Sequence, residues 1–275
     1  MNYLNKDSIE LINKSKSSYL NQEPFPFIVI DDFLDKNIAD KCLDDFNSIK
    51  NGWIDYKHFN QNKRGNKEYI DQDFSISALT KYLNSQHFLD ILSGLTGYKD
   101  IISDSSLDGG GLHEIKNGGY LNIHTDFQNH TNFVNYKRKL NLLLYFNKNF
   151  KNFKNSELEF WDSSCSRMIT KIEPKFNRCV IFSTLDPSFH GHPNPLIAKE
   201  DESRKSLALY YYQIFDQDLP IQSTNYQSTP NDSIIKKILI QLDNKILNFY
   251  SFLKRKNLIS DELFSKIINI FKKKN

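Results

Sequence analysis

The sequence predicts a mainly β core with helices before and after it, because the hydrophobic period changes twice along the chain. Up to about residue 97, and again after about residue 229, apolar residues recur at three- and four-residue steps, as in helices. Between about 112 and 214 they alternate with a period of two, in short runs separated by Gly, Asn and Pro. Many short strands of this kind predict a sandwich or barrel, so the fold class is α+β with a dominant β part.

The N-terminal third contains the flanking helices and one early strand. Residues 1–22 predict a polar helical lead, and the β-branched run at 27–30 predicts a buried strand. A helix is predicted to begin at Asp31-Asp32, and one or two more lie within 76–97. The three glycines at 109–111 predict a turn or a close backbone approach.

The β core is predicted to begin at about residue 112. On the strand at 138–146, the even-numbered residues from Leu140 to Phe146 share one apolar face. Asn141 and Tyr145 project from the other face. The predicted strands are 119–125, 138–146, 157–162, 167–172, 178–183, 188–192 and 204–214.

A chain of 275 residues suits one large domain with an appendage, which we place at 1–228 and 229–275. The net charge of +3 is too small to predict nucleic-acid binding. Residues 232–275 nevertheless hold ten basic and four acidic residues on two predicted amphipathic helices, the second at 260–271. This extension predicts packing on the core or on a second subunit, or else contact with an anionic membrane or an acidic partner. The oligomeric state stays open.

Cysteine spacing and apolar runs bear on the compartment. Cys42, Cys165 and Cys179 are widely spaced and predict neither a disulfide framework nor a zinc site. The first residues show no apolar signal segment, and no apolar run reaches the ~18–20 residues of a membrane span. We therefore expect a reducing, cytoplasmic environment.

One segment carries the residue types of a metal site. His124 and Asp126 are two residues apart on a predicted strand and therefore point the same way. A second histidine follows at His190 or His192. Two histidines and one carboxylate hold one face of a metal ion and leave positions open, which is the arrangement of non-haem iron oxygenases.

Arg204 and Ser206 come next and share one face of the last core strand. A buried arginine presents a planar fork that suits a carboxylate. H-x-D, then H, then R-x-S, in this order within a β-rich region, resembles the iron(II)- and 2-oxoglutarate-dependent oxygenases, especially the prolyl-4-hydroxylase-like group. The resemblance covers roughly 24–215 and is supported by the segments at 138–147, 157–162 and 176–182.

The resemblance implies a double-stranded β-helix, or jelly roll, with iron at its open end. His124, Asp126 and His190 would bind Fe(II) and serve as the catalytic centre. The co-substrate 2-oxoglutarate would be decarboxylated to succinate while O2 hydroxylates a substrate C–H bond; ascorbate is a possible auxiliary reductant. The implied co-substrate contacts are Arg204, Tyr145, Ser206 and Asn141.

The choice between the two late histidines rests on the resemblance and on Pro193. Periodicity leaves both open, because His190 and His192 lie on one strand face. The Ser188-Phe189-His190 approach fits the family's ligand position better. Pro193 breaks the strand beside His192, so we predict that His192 lies near the rim and contacts substrate, with His113 as a further substrate candidate. The family often has Gly-Gly where this chain has Asn155-Ser156, so the geometry of that turn is in question.

Two other functions compete with this prediction. A zinc-type hydrolase would use the same histidines and carboxylate but would not need Arg204. A non-catalytic jelly-roll binding protein would not need the triad. The substrate stays open between a peptide, with peptidyl proline as one candidate, and a small molecule.

Overall fold

The computed structural model describes residues 3–220, 222–256 and 258 of the chain. In that part, the structure consists of one curled sheet with helices packed against it. The helices are α1 (Lys6–Lys14), α2 (Lys16–Leu20), α3 (Lys36–Ser48), α4 (Ser75–Leu83), α5 (Gln86–Thr96) and α6 (Ile234–Arg255). The strands are β1 (Phe27–Ile30), β2 (Ile54–His58), β3 (Gln61–Asn66), β4 (Ile101–Ser103), β5 (Gly111–Lys116), β6 (Tyr120–Thr125), β7 (Tyr136–Tyr145), β8 (Leu158–Trp161), β9 (Met168–Ile172), β10 (Cys179–Ser183), β11 (His190–His192), β12 (Ser203–Ile214) and β13 (Asn225–Tyr226).

The sheet is antiparallel and folds over on itself. Its strand order is β1-β10-β7-β12-β5-β3-β6-β11-β8-β9, with β2 on β3, β4 on β12 and β13 on β6. Tyr145 and Phe182 from one half pack against Leu158 and Phe160 from the other half. This curled, half-barrel arrangement confirms the predicted jelly-roll core.

The helices cover the outer face of the β7 half. Leu140, Leu142 and Leu144 are fully buried there, in one cluster with helix residues such as Phe46 and Phe88. Tyr145 points to the opposite, inner face. The predicted division of this strand into two faces is confirmed, and it follows from side-chain alternation along a strand.

The predicted start of the third helix was wrong. This helix begins at Lys36, and Asp35 is its N-cap, whose carboxylate accepts hydrogen bonds from the backbone N–H groups of Asn37 and Ile38. Asp32 instead adopts a left-handed turn after β1, with a φ of 51°. An aspartate suits both positions, so composition did not choose between them.

The prediction missed five strands, which are β2, β3, β4, β5 and β13. β3 reads Gln-Asn-Lys-Arg-Gly-Asn and shows no apolar alternation. Its inner face lines a polar site, as shown below, so it lacks the apolar half of a period-two pattern. The glycine turn before β5 is confirmed: Gly111 has a φ of 94°, and a Cβ there would lie 2.5 Å from the Asn66 carbonyl oxygen.

The first C-terminal helix is present as α6, and the second predicted helix, at 260–271, lies outside the described residues. α6 turns Ile240 and Asp243 toward the core and leaves Ile235 and Phe249 exposed. No helix of the described part is long and apolar enough to cross a membrane. The division at 228/229 and the membrane or acidic-partner contact stay predictions.

Candidate active site

The predicted metal ligands meet where β6 and β11 pair. His190 lies directly opposite His124 in the antiparallel register, and Asp126 follows β6. Gly191 allows this approach, because a Cβ there would lie 2.8 Å from the Leu121 carbonyl oxygen. The structure thus brings the three residues together, and one potential ligand atom from each lies within 4.8 Å of the others.

Backbone carbonyls fix the orientation of both imidazoles. Nδ1 of His124 lies 2.9 Å from the Asn122 oxygen, and Nδ1 of His190 lies 2.9 Å from the Ser188 oxygen. Each Nδ1–H therefore donates to a carbonyl, which leaves the Nε2 lone pairs facing Asp126, at 3.5 Å from Oδ1 and 3.4 Å from Oδ2. Three acceptors converging on one point fit a divalent metal ion, and this pattern of outer hydrogen bonds is typical of metal-binding histidines.

Asp126 is held in place by two residues of β7. The Asn141 amide donates to Asp126 Oδ2 at 2.6 Å, and Arg138 Nη2 lies 3.2 Å from the same oxygen. Arg138 Nε also donates to the Asn141 side-chain oxygen at 2.7 Å. Asn141 was predicted to contact the co-substrate, and that role stays a prediction. Its amide group already joins the carboxylate to the arginine.

The charges of the site favour metal binding at neutral pH. Burial raises the pKa of Asp126, but Arg138 and the two histidines outweigh it and hold this pKa well below its ordinary value. Burial lowers the pKa of His190 to about 4, against the opposing effect of Asp126. The carboxylate is therefore ionised and His190 is neutral, which are the forms that bind a metal.

Arg204 and Tyr145 form a second polar pair on the inner face. Arg204 is buried, its Nε donates to the Ser156 carbonyl at 2.8 Å, and its Nη2 donates to the Tyr145 hydroxyl at 3.0 Å. Because that oxygen accepts from the arginine, the tyrosine proton is free to donate to a ligand. Ser206 on β12 shares this face and lies directly opposite Tyr145 on the neighbouring strand β7. Asn155 supplies the turn next to Ser156 with a φ of 59°, which asparagine tolerates.

The predicted rim position of His192 was wrong. His192 is 3% exposed, and within the described part of the chain neither of its ring nitrogens has a hydrogen-bond partner. Burial, and then the charges of Arg204 and Lys63, lower its pKa well below the ordinary value. His113 is also buried, with Nε2 3.1 Å from the Gly109 oxygen. The predicted contact of both histidines with substrate stays a prediction.

A hydrogen-bond chain joins α6 to the metal ligands. Asp243 Oδ2 lies 2.7 Å from His58 Nδ1 and accepts from the Asn60 amide at 2.6 Å. Asn60 in turn accepts from both the side chain and the backbone N–H of Asn122, at 2.9 Å each. The carbonyl of Asn122 is the group that orients His124. α6 therefore supports the metal site from outside the β core.

Tyr226 of β13 makes a second connection between α6 and the metal site. Its ring centroid lies 5.3 Å from that of His124, and its backbone pairs with the same residue. The Asn244 side chain both accepts from the Tyr226 N–H, at 3.0 Å, and donates to its carbonyl, at 2.7 Å. The position of this ring therefore depends on α6.

Asp243→Ala is expected to weaken iron binding by a few-fold, less than the ~10–100-fold for loss of a direct partner of a ligand histidine, because Asn60 and Asn122 stand between Asp243 and His124. The substitution leaves His58 and the Asn60 amide without their acceptor. Anaerobic iron titration by calorimetry measures the effect. Gln241→Ala, an exposed position on the same helix, is the control. Unchanged iron affinity in Asp243→Ala would show that the chain has no bearing on the metal.

Sequence reasoning missed Arg138, Lys63, Asp243 and Tyr226. Arg138 stood in a segment quoted for the resemblance but received no role. Lys63 lies in a polar stretch and Asp243 in an amphipathic helix, and neither local pattern carries information about a site far along the chain. Only pairing between distant strands places them.

Two histidines and one carboxylate on a curled jelly roll, with a buried Arg–Tyr pair, have the residue types and the arrangement of a facial-triad metal site. Residues 110–212 match the family model of the 2OG-Fe(II) oxygenase superfamily. This match confirms the predicted resemblance over the β-rich part of the chain. No curated protein matches the chain by sequence.

Solved structures of prolyl hydroxylases are among those similar to this chain. One from Trichoplax adhaerens, solved with a peptide fragment of hypoxia inducible factor, is 18% identical with a TM-score of 0.51 and covers 76% of this chain and 91% of its own. A prolyl 4-hydroxylase from Phytophthora capsici is 16% identical with a TM-score of 0.49, and the match covers 90% of this chain and 74% of that one. A Pseudomonas putida prolyl-4-hydroxylase is 14% identical with a TM-score of 0.43, and the match covers 80% of this chain and 98% of that one. At 18% identity, the first of these structures shows a likeness of fold alone.

Proposed function

We propose that this protein is an iron(II)- and 2-oxoglutarate-dependent dioxygenase that hydroxylates a C–H bond of a peptide or small-molecule substrate. The observation that carries the proposal is the metal triad beside the buried Arg204–Tyr145 pair on one inner face. When bound, iron with 2-oxoglutarate supplies the oxidising chemistry, and 2-oxoglutarate leaves as succinate and CO2.

The chain's own residues would bind and orient these groups. His124, Asp126 and His190 would ligate the iron, while Asn141 and Arg138 keep the carboxylate in position. Arg204 would bind the distal carboxylate of 2-oxoglutarate, and the Tyr145 hydroxyl would donate to the same group. O2 would be the second co-substrate, and a role for ascorbate is part of this proposal. The substrate could be a peptide, as in the Trichoplax adhaerens complex, or a small molecule.

A co-substrate turnover assay tests the proposal. Purified protein is given Fe(II), 2-oxoglutarate and O2 with pools of peptides, amino acids and glycans, and succinate, oxygen uptake and product mass are followed. The expected result is iron-dependent succinate formation, with a product heavier by one oxygen atom in the pool that holds the substrate. Hydrolysis with zinc and no succinate would instead support the hydrolase, and failure to bind iron would support a binding protein.

A further inference from the structure

Lys63 on β3 points to the same inner face as Arg204. Directly paired residues of an antiparallel sheet project to the same side. Gly65 pairs with His113, His113 with Ser206, and Ser206 with Tyr145, so these residues share one face. Lys63 lies two residues before Gly65, just as Arg204 lies two residues before Ser206, and each therefore belongs to that face.

The next residue of β3 confirms this orientation. Arg64 points to the other side, where it pairs with Glu114 and lies over the Trp53 ring at 4.5 Å. On the inner side, a Cβ at Gly65 would lie 3.4 Å from Cδ2 of His113. Side chains therefore alternate along β3 as in a regular strand, and the Lys63 ammonium is turned toward the candidate active site.

The surroundings of Lys63 are predominantly positive. Its charged neighbours are Asp126, Arg138 and Arg204, and it acts in turn on His113. Burial, with Asp126 opposing and the two arginines adding to the effect, lowers the pKa of Lys63 to about 8, so the ammonium form predominates at pH 7. Among the described residues, no carboxylate forms a salt bridge with Lys63.

The bound iron and co-substrate would not supply the missing negative charge. The two positive charges of iron(II) and the two negative charges of 2-oxoglutarate cancel each other. Asp126 is already engaged by Arg138 and by the metal position, and Arg204 would take the distal carboxylate of the co-substrate. The Lys63 ammonium lies 6.0 Å from the centroid of the Tyr56 ring, which is the outer limit of a cation–π contact. Lys63 would then be a partly buried cation without an anionic partner among the described residues, which costs free energy unless another group pairs with it.

We propose that Lys63 binds an anionic group, a carboxylate or a phosphate, of the substrate that is hydroxylated. This inference rests on the proposed function, since it assumes that iron and 2-oxoglutarate occupy their own positions. It narrows the substrate class to molecules with a negative charge near the reacting carbon. Lys63 lies outside the region that matches the family model.

The test compares anion binding by wild type, Lys63→Gln and Lys63→Arg, with Lys67→Gln as the control at an exposed lysine just after β3. Each protein is saturated with Fe(II) and 2-oxoglutarate without oxygen and titrated calorimetrically with inorganic phosphate and with acetate. A turnover panel pairs carboxylates with their carboxamides and phosphate esters with their parent alcohols. We expect the wild type to bind one or both anions and to use charged panel members in preference to neutral ones. Lys63→Gln should bind these anions at least about tenfold more weakly than wild type. The anion affinities of Lys63→Arg and of the control Lys67→Gln should stay near that of wild type.

Each other outcome contradicts a stated claim. Anion binding that survives Lys63→Gln would mark direct binding to iron, and no anion binding in wild type would equally overturn the role of Lys63. A loss of 2-oxoglutarate affinity matching the loss of anion affinity would make Lys63 a co-substrate contact. Faster turnover of the neutral panel members than of the charged ones would also overturn the role of Lys63 in binding an anionic substrate. If wild type fails to bind iron and 2-oxoglutarate, the proposed function itself fails.

Discussion

His190→Ala is expected to abolish iron binding, whereas His192→Ala is expected to retain it. Nε2 of His190 faces the Asp126 carboxylate at 3.4 Å. His192 shares the short strand and is equally buried, but it is not part of the cluster that could hold a metal. Losing an outer partner of a metal ligand costs about 10–100-fold in affinity, so losing the ligand itself should cost more than about 100-fold.

Anaerobic iron titration of the two variants measures this difference, and thermal unfolding shows whether each is folded. His192→Ala is the matched control, because it removes the same side chain two residues away on the same strand. It should bind iron within a few-fold of wild type, and its defect should fall on 2-oxoglutarate or on substrate. Iron lost in His192→Ala but retained in His190→Ala would reverse the assignment.

Arg204→Lys is expected to raise the KM for 2-oxoglutarate by roughly 5- to 150-fold, which corresponds to the ~1–3 kcal/mol typical of charged hydrogen bonds. The guanidinium plane is fixed by the Ser156 carbonyl and the Tyr145 hydroxyl. Lysine keeps the charge but loses the planar fork that holds a carboxylate through two parallel bonds. Iron affinity should change little, because Arg204 contacts none of the three ligands.

Steady-state succinate formation at varied 2-oxoglutarate gives the KM. Tyr145→Phe should raise it less, because one donor is lost while the arginine remains. Arg167→Lys is the control, since Arg167 is an exposed arginine in the turn between β8 and β9. An unchanged KM in Arg204→Lys would remove Arg204 from the co-substrate site.

Much of the fold followed from the sequence, because the buried strands carry a period-two pattern. The seven predicted strands are present, from β6 to β12, and the two faces of β7 were assigned correctly. β3 was missed because its inner face carries Lys63 and Gly65 instead of an apolar row. A polar site thus removes the pattern on which strand prediction depends.

Some residues of the candidate site could likewise be predicted from the sequence, and others could not. His124 and Asp126 could be found because two ligands on one strand end are two residues apart, and Arg204 and Ser206 because they repeat that spacing. His190 followed from the resemblance. The role of Asn141 could not be read from its strand face, because its amide could turn toward Asp126 or toward a co-substrate.

The sequence by itself predicted the class of protein, since residue order and strand parity pointed to His124, Asp126 and Arg204, and the resemblance selected His190. The tertiary structure decided which groups support and surround that triad. Asp243 meets His58 from 185 residues away, and Lys63 reaches the face of Arg204 only through the pairing of β3 with β5. Such contacts depend on the closure of the sheet, which brings together polar residues whose local sequence carries no period or spacing that links them.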